Sequence, residues 1–545
     1  MTELTGHGGT LAVAVAHEFG VDTMFTLSGG HVFPLYDAAA RGEFPLRIVD
    51  VRHEQTAVFA AEATARLTLS PGLAVVTAGP GVTNTVSAVT TAHFNGAPLV
   101  LLAGRAPDYR WGAGSLQELD HPPLLAPVTK ASSTVHLTDE IPAAVASAFT
   151  TALTPHRGPV FLDMSLEALF GSGSAPAPAS MALDGAADGA VADVEDVTRI
   201  AGLLRAAERP VLVLGSDVWL GGAAAAAQGA AEELRLPVIT NGQARGVLPR
   251  GHSLLVSRAR KVAFGEADLV VVVGVPLDFR LGYGAFGDAR VVHVMDSAAG
   301  IATHVPLAAS ACGDLTGFFA WLAEETGGPC GSPDWASRLA EAAKDALAAD
   351  EPLLSSDASP IHPARIYGEL MRVLDDDAVV IGDGGDFVSF AGRFVEPARP
   401  GCWLDPGPYG CLGTGLGYAI AARLARPSSQ VVLLLGDGAA GFSLMDVDTL
   451  VRHRLPAVMI CGNNGAWGLE KHPMRALYGY DVAADLQPGC RYDEVVRALG
   501  GAGELVTSAE EIGPALRRAF ASGAPYLVNV VTDTEAVYPR STSGV

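Results

Sequence analysis

Short runs of valine, leucine and isoleucine, each closed by glycine, aspartate or asparagine, recur along the chain and alternate with longer stretches of helical period. That alternation predicts parallel sheets with crossover helices, because strands covered on both faces read as unbroken apolar runs. The runs fall into three sets. The first contains LAVVTAG (73–79), PLVLLAG (98–104) and GPVFLDM (158–164). The second contains RPVLVLGSD (209–217), LPVITN (236–241), ADLVVVVGVPL (267–277) and ARVVHVMD (289–296). The third contains AVVIGDGG (378–385), QVVLLLGDG (430–438), LPAVMICGNN (455–464) and PYLVNVVTD (525–533). Two stretches read as linkers: 171–196, rich in Gly, Pro, Ala and Ser, and 327–362, which encloses one helix-like segment. The predicted fold class is α/β, with three consecutive parallel-sheet domains at 1–170, 197–326 and 363–545.

Composition narrows the field. A chain of 545 residues suits about three domains. With 49% hydrophobic and 17% charged residues it can build large cores, which argues against wholesale disorder. A net charge of −23 argues against nonspecific nucleic-acid or anionic-membrane binding, so an anionic ligand needs a local device. The six cysteines show no CxxC spacing, which suggests reduced thiols in a cytosolic protein. MTELTGHGGTLAVAVAHEFG lacks a basic n-region, and no apolar run reaches about 18 residues, so a cytoplasmic protein without a membrane partner is expected.

Candidate chemistry sits at two strand exits. Residues 430–435 read as a strand, 442–454 as a helix and 457–461 as a second strand, so GDG and NN close neighbouring parallel strands. Open α/β sheets bind ligands at such ends. Asp437 offers a hard anionic oxygen and Asn464 a neutral one, a pair that Mg²⁺ accepts while phosphate and water complete its shell. Gly436 and Gly438 let the backbone approach a bulky anion, beside Ala439 at the start of the next helix. A helix cap at Asp437 and a turn at Asn463 and Asn464 are the plain alternatives. Their joint occurrence in one strand-helix-strand unit favours a metal-anchored diphosphate.

With GDG and NN about 30 residues apart, the chain resembles the thiamine diphosphate enzymes over nearly its whole length. The resemblance implies Mg²⁺ held by Asp437, Asn464 and the carbonyl of Ala466. It implies a glutamate in the first domain, and RHEQTAVFAAEATAR (52–66) supplies Glu54, near AGPGVTN (78–84) with Pro80 and Asn84. In such enzymes that carboxyl bonds the aminopyrimidine ring and promotes loss of the thiazolium-carbon proton. In WLDPGPYGCLGTGLGYAIAARLARP (403–427) the resemblance implies that Leu412 sits beneath the bent cofactor, with Gly410 close by. GDGGDF (382–387) resembles the second diphosphate loop through Gly385, Asp386 and Phe387, and Trp467 completes the cofactor contacts. A homodimer or homotetramer is implied, with Glu54 of one subunit serving the metal site of another.

The reaction is read from three regions. AHFNGAPLVLLAG (92–104) carries Asn95 where acetolactate synthases usually have aspartate, and is more similar to the acyl-CoA enzymes. Residues 241–284 are similar to the central domain of the 2-hydroxyacyl-CoA lyase and oxalyl-CoA decarboxylase branch. Arg245, Arg250, Arg258, Arg260, Lys261 and Arg280 there suit a nucleotide diphosphate from FAD, ADP or CoA, or else a solvated helix face. His472 stands where acetolactate synthases carry a tryptophan; with His31, Gln117, Glu118, Tyr478 and Tyr480 it is a candidate substrate contact. The first expectation is therefore a 2-hydroxyacyl-CoA lyase releasing an aldehyde and formyl-CoA. The alternative is an acetolactate synthase or related 2-oxo acid carboligase or decarboxylase, and a catalytically silent regulatory or structural relative is the reading of another class.

Overall fold

Eleven expected apolar runs form parallel strands, each within or close to its predicted bounds. The computed structural model describes residues 3–41, 43–176 and 192–538. Contacts gather the chain into two units: one holds Met1–Ala187, Pro406–Pro427 and Ser443–Pro456, the other Asp188–Asp405, Ser428–Phe442 and Ala457–Val545.

The first unit contains a six-stranded parallel sheet in the spatial order Arg47–Asp50, Thr23–Thr26, Gly72–Val76, Leu99–Arg105, Val160–Ser165, Ser132–Val135. Its inner strands are buried along their full length, which is why they read as apolar runs. Helix Glu54–Thr68 crosses helix Thr414–Ala425 closely: a Cβ on Gly417 would lie 2.7 Å from Phe59 Cβ. Only glycine permits that approach. Between these helices a fully buried ion pair joins Glu62 to Arg66 at 3.0 Å, and Tyr418 donates to Glu62 at 2.9 Å.

The second unit contains two parallel sheets. The five-stranded one runs Val238–Thr240, Pro210–Leu214, Leu269–Val273, Arg290–Met295, Ala309–Cys312. The six-stranded one runs Trp403–Leu404, Val379–Asp383, Val431–Gly436, Val458–Asn463, Tyr526–Val531, Ala502–Val506. Numbered within each sheet, its strands follow the order 2-1-3-4-6-5, as do those of the first unit's six-stranded sheet. The order reverses between Val379–Asp383 and Val431–Gly436, and ligands of open α/β sheets bind at such a switch point.

Three segments show detail that the sequence reading did not give. In the segment 171–196, Ser172–Pro176 is a strand paired antiparallel with Glu3–His7 and a helix starts at Val194; 177–191 lie outside the described residues. In 327–362, helix Pro333–Leu354 anchors to the core beside the five-stranded sheet through buried Trp335 and Leu339, and Trp335 Nε1 donates to Pro210 O at 3.0 Å. The single helix expected over 442–454 is instead a helix Asp437–Ser443, a 3₁₀ turn and a helix Val447–Arg452. The break falls at Asp446, whose buried carboxylate accepts from Arg52 N at 2.8 Å and Thr56 Oγ1 at 2.6 Å. The six cysteines are free thiols, and among the described residues no helix is long and apolar enough to cross a membrane.

Candidate functional site

In the second unit, three loops converge at the carboxyl ends of adjacent strands. They follow Val379–Asp383, Val431–Gly436 and Val458–Asn463. A Cβ on Gly462 would meet the Phe387 ring at 2.5 Å, and one on Gly385 would meet Leu469 at 2.7 Å. Gly438 is pressed hardest, because its Cβ would lie 2.4 Å from the Trp467 ring. The loops bearing Gly385, Asp386 and Phe387, Gly436 to Ala439, and Asn464 to Trp467 are thus brought together.

Asp437 opens helix Asp437–Ser443 and is 3% exposed. Its Oδ1 accepts from Gly438 N at 2.9 Å and its Oδ2 from Gly465 N at 2.7 Å. Burial pushes its carboxyl up to about 6, against the pull of the Gly465 and Gly438 N–H groups. Among the described residues no cationic side chain pairs with it. A buried carboxylate in that state suits a divalent cation. Asn464 Oδ1 accepts from Ala466 N at 3.0 Å, which holds the loop in an Asx turn. The side-chain oxygens of Asp437 and Asn464 and the Ala466 carbonyl are hard donors, the ligand type that Mg²⁺ takes. Asn463 has a different job: its Nδ2 donates to Cys490 O at 2.9 Å and Asn529 Oδ1 at 3.0 Å.

In the first unit, Glu54 is the first residue of its helix and 7% exposed. Asn84 Nδ2 donates to Glu54 Oε2 at 3.0 Å, while Oε1 has no partner among the described residues. Pro80 begins the short helix that Asn84 closes, and both are exposed. Gln55 Nε2 donates to Leu412 O at 3.5 Å, so half-buried Leu412 lies near the start of the Glu54 helix; Gly410 is exposed.

The candidate substrate contacts divide. His31 Nδ1 lies 3.0 Å from Thr77 Oγ1, which donates to Gln117 Oε1 at 3.4 Å. Gln117 has a φ of 61°, a conformation that costs energy for a side chain other than glycine. Burial above all holds the His31 ring below its ordinary pKa. Glu118 turns instead to its own loop, accepting from Gly112 N at 2.9 Å and Ser115 N at 3.1 Å. His472 Nε2 is buried without a partner among the described residues, whereas Tyr478 and Tyr480 are exposed rings 6.4 Å apart. Sequence reasoning missed Thr77, His121 and Asp163, although an aspartate inside the buried run GPVFLDM was a usable signal.

Asn95 donates to Glu62 Oε1 at 2.7 Å and so completes the buried Glu62–Arg66 network. The basic cluster is also largely engaged. Arg245 donates to Val395 O at 3.2 Å and to Gly392 O, and lies 4.5 Å from the centre of the Trp403 ring. Arg258 pairs with Asp350 at 3.3 Å and Glu396 at 3.2 Å. Arg250 pairs with Asp376, Arg280 with Asp278, and Arg260 donates to the Arg280 carbonyl. Burial, with Arg245 and Arg280 nearby, pushes the Arg260 guanidinium down to about 10. Arg245, Arg258, Arg260 and exposed Lys261 border a cavity of about 1100 Å³.

Comparison with known proteins gives the family. The chain matches the N-terminal TPP binding domain of the thiamine pyrophosphate enzymes over residues 6–124, their central domain over 197–322 and their C-terminal TPP binding domain over 383–530. It is 49% identical over 546 residues to the acetolactate synthase large subunit IlvG of Mycobacterium tuberculosis, covering 98% of this chain and 97% of that protein. It is 34% identical over 542 residues to 2-hydroxyacyl-CoA lyase 2 of Mus musculus, covering 92% and 85%. The Homo sapiens protein of that name is 33% identical over 548 residues, covering 93% and 86%. Matched along its length by all three domain types and by full-length relatives, the chain belongs to the thiamine pyrophosphate enzymes.

Proposed function

We propose that this enzyme is a carboligase of the acetolactate synthase kind, condensing two pyruvate molecules to 2-acetolactate with loss of CO₂. The observation that carries the reading is 49% identity to an acetolactate synthase large subunit across 98% of the chain, against 33–34% for the lyases. That reverses the order in which the sequence ranked the two reactions. Two features that had favoured the thioester reading also lose force: Asn95 is used by Glu62, and the central arginines are held by protein carbonyls and carboxylates.

Bound thiamine diphosphate supplies the electron sink that carbon–carbon cleavage and formation beside a carbonyl require. Asp437, Asn464 and the Ala466 carbonyl hold Mg²⁺ in this proposal, and the loop from Gly436 to Ala439 receives the diphosphate. Glu54 keeps Oε1 available to hold a proton at the aminopyrimidine ring nitrogen, while Asn84 fixes Oε2. Leu412 supports the cofactor's bend, and His31 with Gln117 lines the substrate side. A homodimer or homotetramer is the proposed active assembly.

Carbon-13 pyruvate supplied alone to the Mg²⁺ and thiamine diphosphate-loaded enzyme tests the reading. Labelled 2-acetolactate and CO₂ in equal amounts are expected. Pyruvate returned unchanged by an enzyme that splits a 2-hydroxyacyl-CoA would sink it.

A further inference from the structure

Behind the turn that carries Asn84 lies a buried polar chain that the cofactor motifs do not include. His121 and Asp163 are both fully buried. His121 Nδ1 lies 2.7 Å from Asp163 Oδ2, and Nε2 accepts the Gly79 N–H at 2.9 Å. An imidazole that accepts at Nε2 is neutral and carries its proton on Nδ1, so the Asp163 carboxylate fixes the tautomer. The same carboxylate oxygen lies 3.4 Å from Arg105 Nη1, whose guanidinium stacks 3.8 Å from the centre of the Trp111 ring.

Gly79 immediately precedes the short helix Pro80–Thr83. Asn84 closes that helix, its N–H bonded to Pro80 O at 3.0 Å and its side chain donating to Glu54 Oε2 at 3.0 Å. His121 therefore grips one end of a single helical turn whose other end grips Glu54. We infer that His121, aligned by Asp163, is a positioning residue: by holding the Gly79 N–H it sets where Asn84 meets Glu54 and which carboxylate oxygen stays available. The inference rests on the reading of Glu54 as the cofactor's proton partner.

The test is deuterium exchange at the thiazolium carbon, followed by proton NMR on the Mg²⁺ and thiamine diphosphate holoenzyme, together with kcat, KM and thermal melting. His121→Leu removes the acceptor; His121→Gln keeps one for Gly79 and a donor for Asp163. Displacing a catalytic group by a fraction of its productive geometry costs on the order of 10–100-fold. His121→Leu is expected to slow exchange and kcat by about that factor with KM little changed, and His121→Gln to recover most of the loss. In a Glu54→Gln background His121→Leu is expected to cost nothing more, because both changes act through one carboxylate. Wild-type exchange in His121→Leu, or a full further loss in the Glu54→Gln background, overturns the inference. If His121→Leu fails to fold, Asn84→Ala on the exposed side of the turn must show the same slowing and the same dependence on Glu54; wild-type exchange there overturns it equally. Exchange in Glu54→Gln as fast as in wild type is a separate result: it discards the Glu54 reading, and this inference with it.

Discussion

The Asp437 carboxylate accepts the backbone N–H of Gly465 at 2.7 Å, joining the exit of one strand to the loop after the next. The loops that carry the candidate oxygen donors Asp437 and Asn464 are thereby tied together by the protein itself. Donor loops held in place before binding lose less order than loops that must assemble.

Asp437→Asn keeps a side chain able to accept from Gly465 but removes the negative charge. Metal-dependent cofactor binding is expected to weaken by about 100-fold or more, since affinity for hard cations follows ligand charge. Trp467, packed over Gly438, provides a fluorescence signal for the titration.

Glu54→Gln separates binding from chemistry. Cofactor and Mg²⁺ should remain bound near wild-type affinity while kcat drops by roughly 10²–10⁴, the usual worth of a positioned acid or base. Equilibrium titration and steady-state assays on one preparation check both halves.

Gly438→Ala drives a methyl into the Trp467 ring, at 2.4 Å by the present geometry. Overpacking of this type costs about 1–3 kcal/mol. Thermal melting should show that loss, and adding Trp467→Leu should restore part of it by removing the ring.

Glu504 accepts from Arg518 Nη2 at 2.6 Å and from Tyr526 OH at 2.7 Å, bracing an edge strand of the C-terminal sheet. The Arg518 bond above all holds its carboxyl below the usual range. A depressed carboxyl stabilises the fold above its unfolded pKa, and that contribution fades as pH falls through the ordinary carboxylate range. For a partly exposed pair the stake is about 0.5–1 kcal/mol. Glu504→Gln should lower stability at pH 7 and flatten its acid dependence in denaturant titrations.

Most inner strands were legible because both faces are covered: Leu269–Val273 is buried throughout and reads LVVVV, whereas inner Thr23–Thr26, TMFT, is too short and too mixed to stand out. Ser132–Val135 and Trp403–Leu404 were not, being short edge strands with polar or interrupted sequence. Helix Pro333–Leu354 was read as part of a linker because few large apolar residues fix an otherwise alanine-rich, charged surface helix. Glu54, Asp437 and Asn464 became candidates through motif spacing, since each terminates or follows a recognisable element. Asn95 was read by resemblance alone, and its hydrogen bond to Glu62, 33 residues away in sequence, was not foreseen. His121 escaped for the same reason: its partners Gly79 and Asp163 each lie 42 residues distant.

A competition assay separates the two reactions most directly. The Mg²⁺ and thiamine diphosphate-loaded enzyme is given pyruvate and a 2-hydroxyacyl-CoA together at equal concentration, and all products are quantified. The carboligase account predicts 2-acetolactate as the dominant product, abolished in Glu54→Gln. Formyl-CoA and aldehyde accumulating while pyruvate is untouched would contradict it.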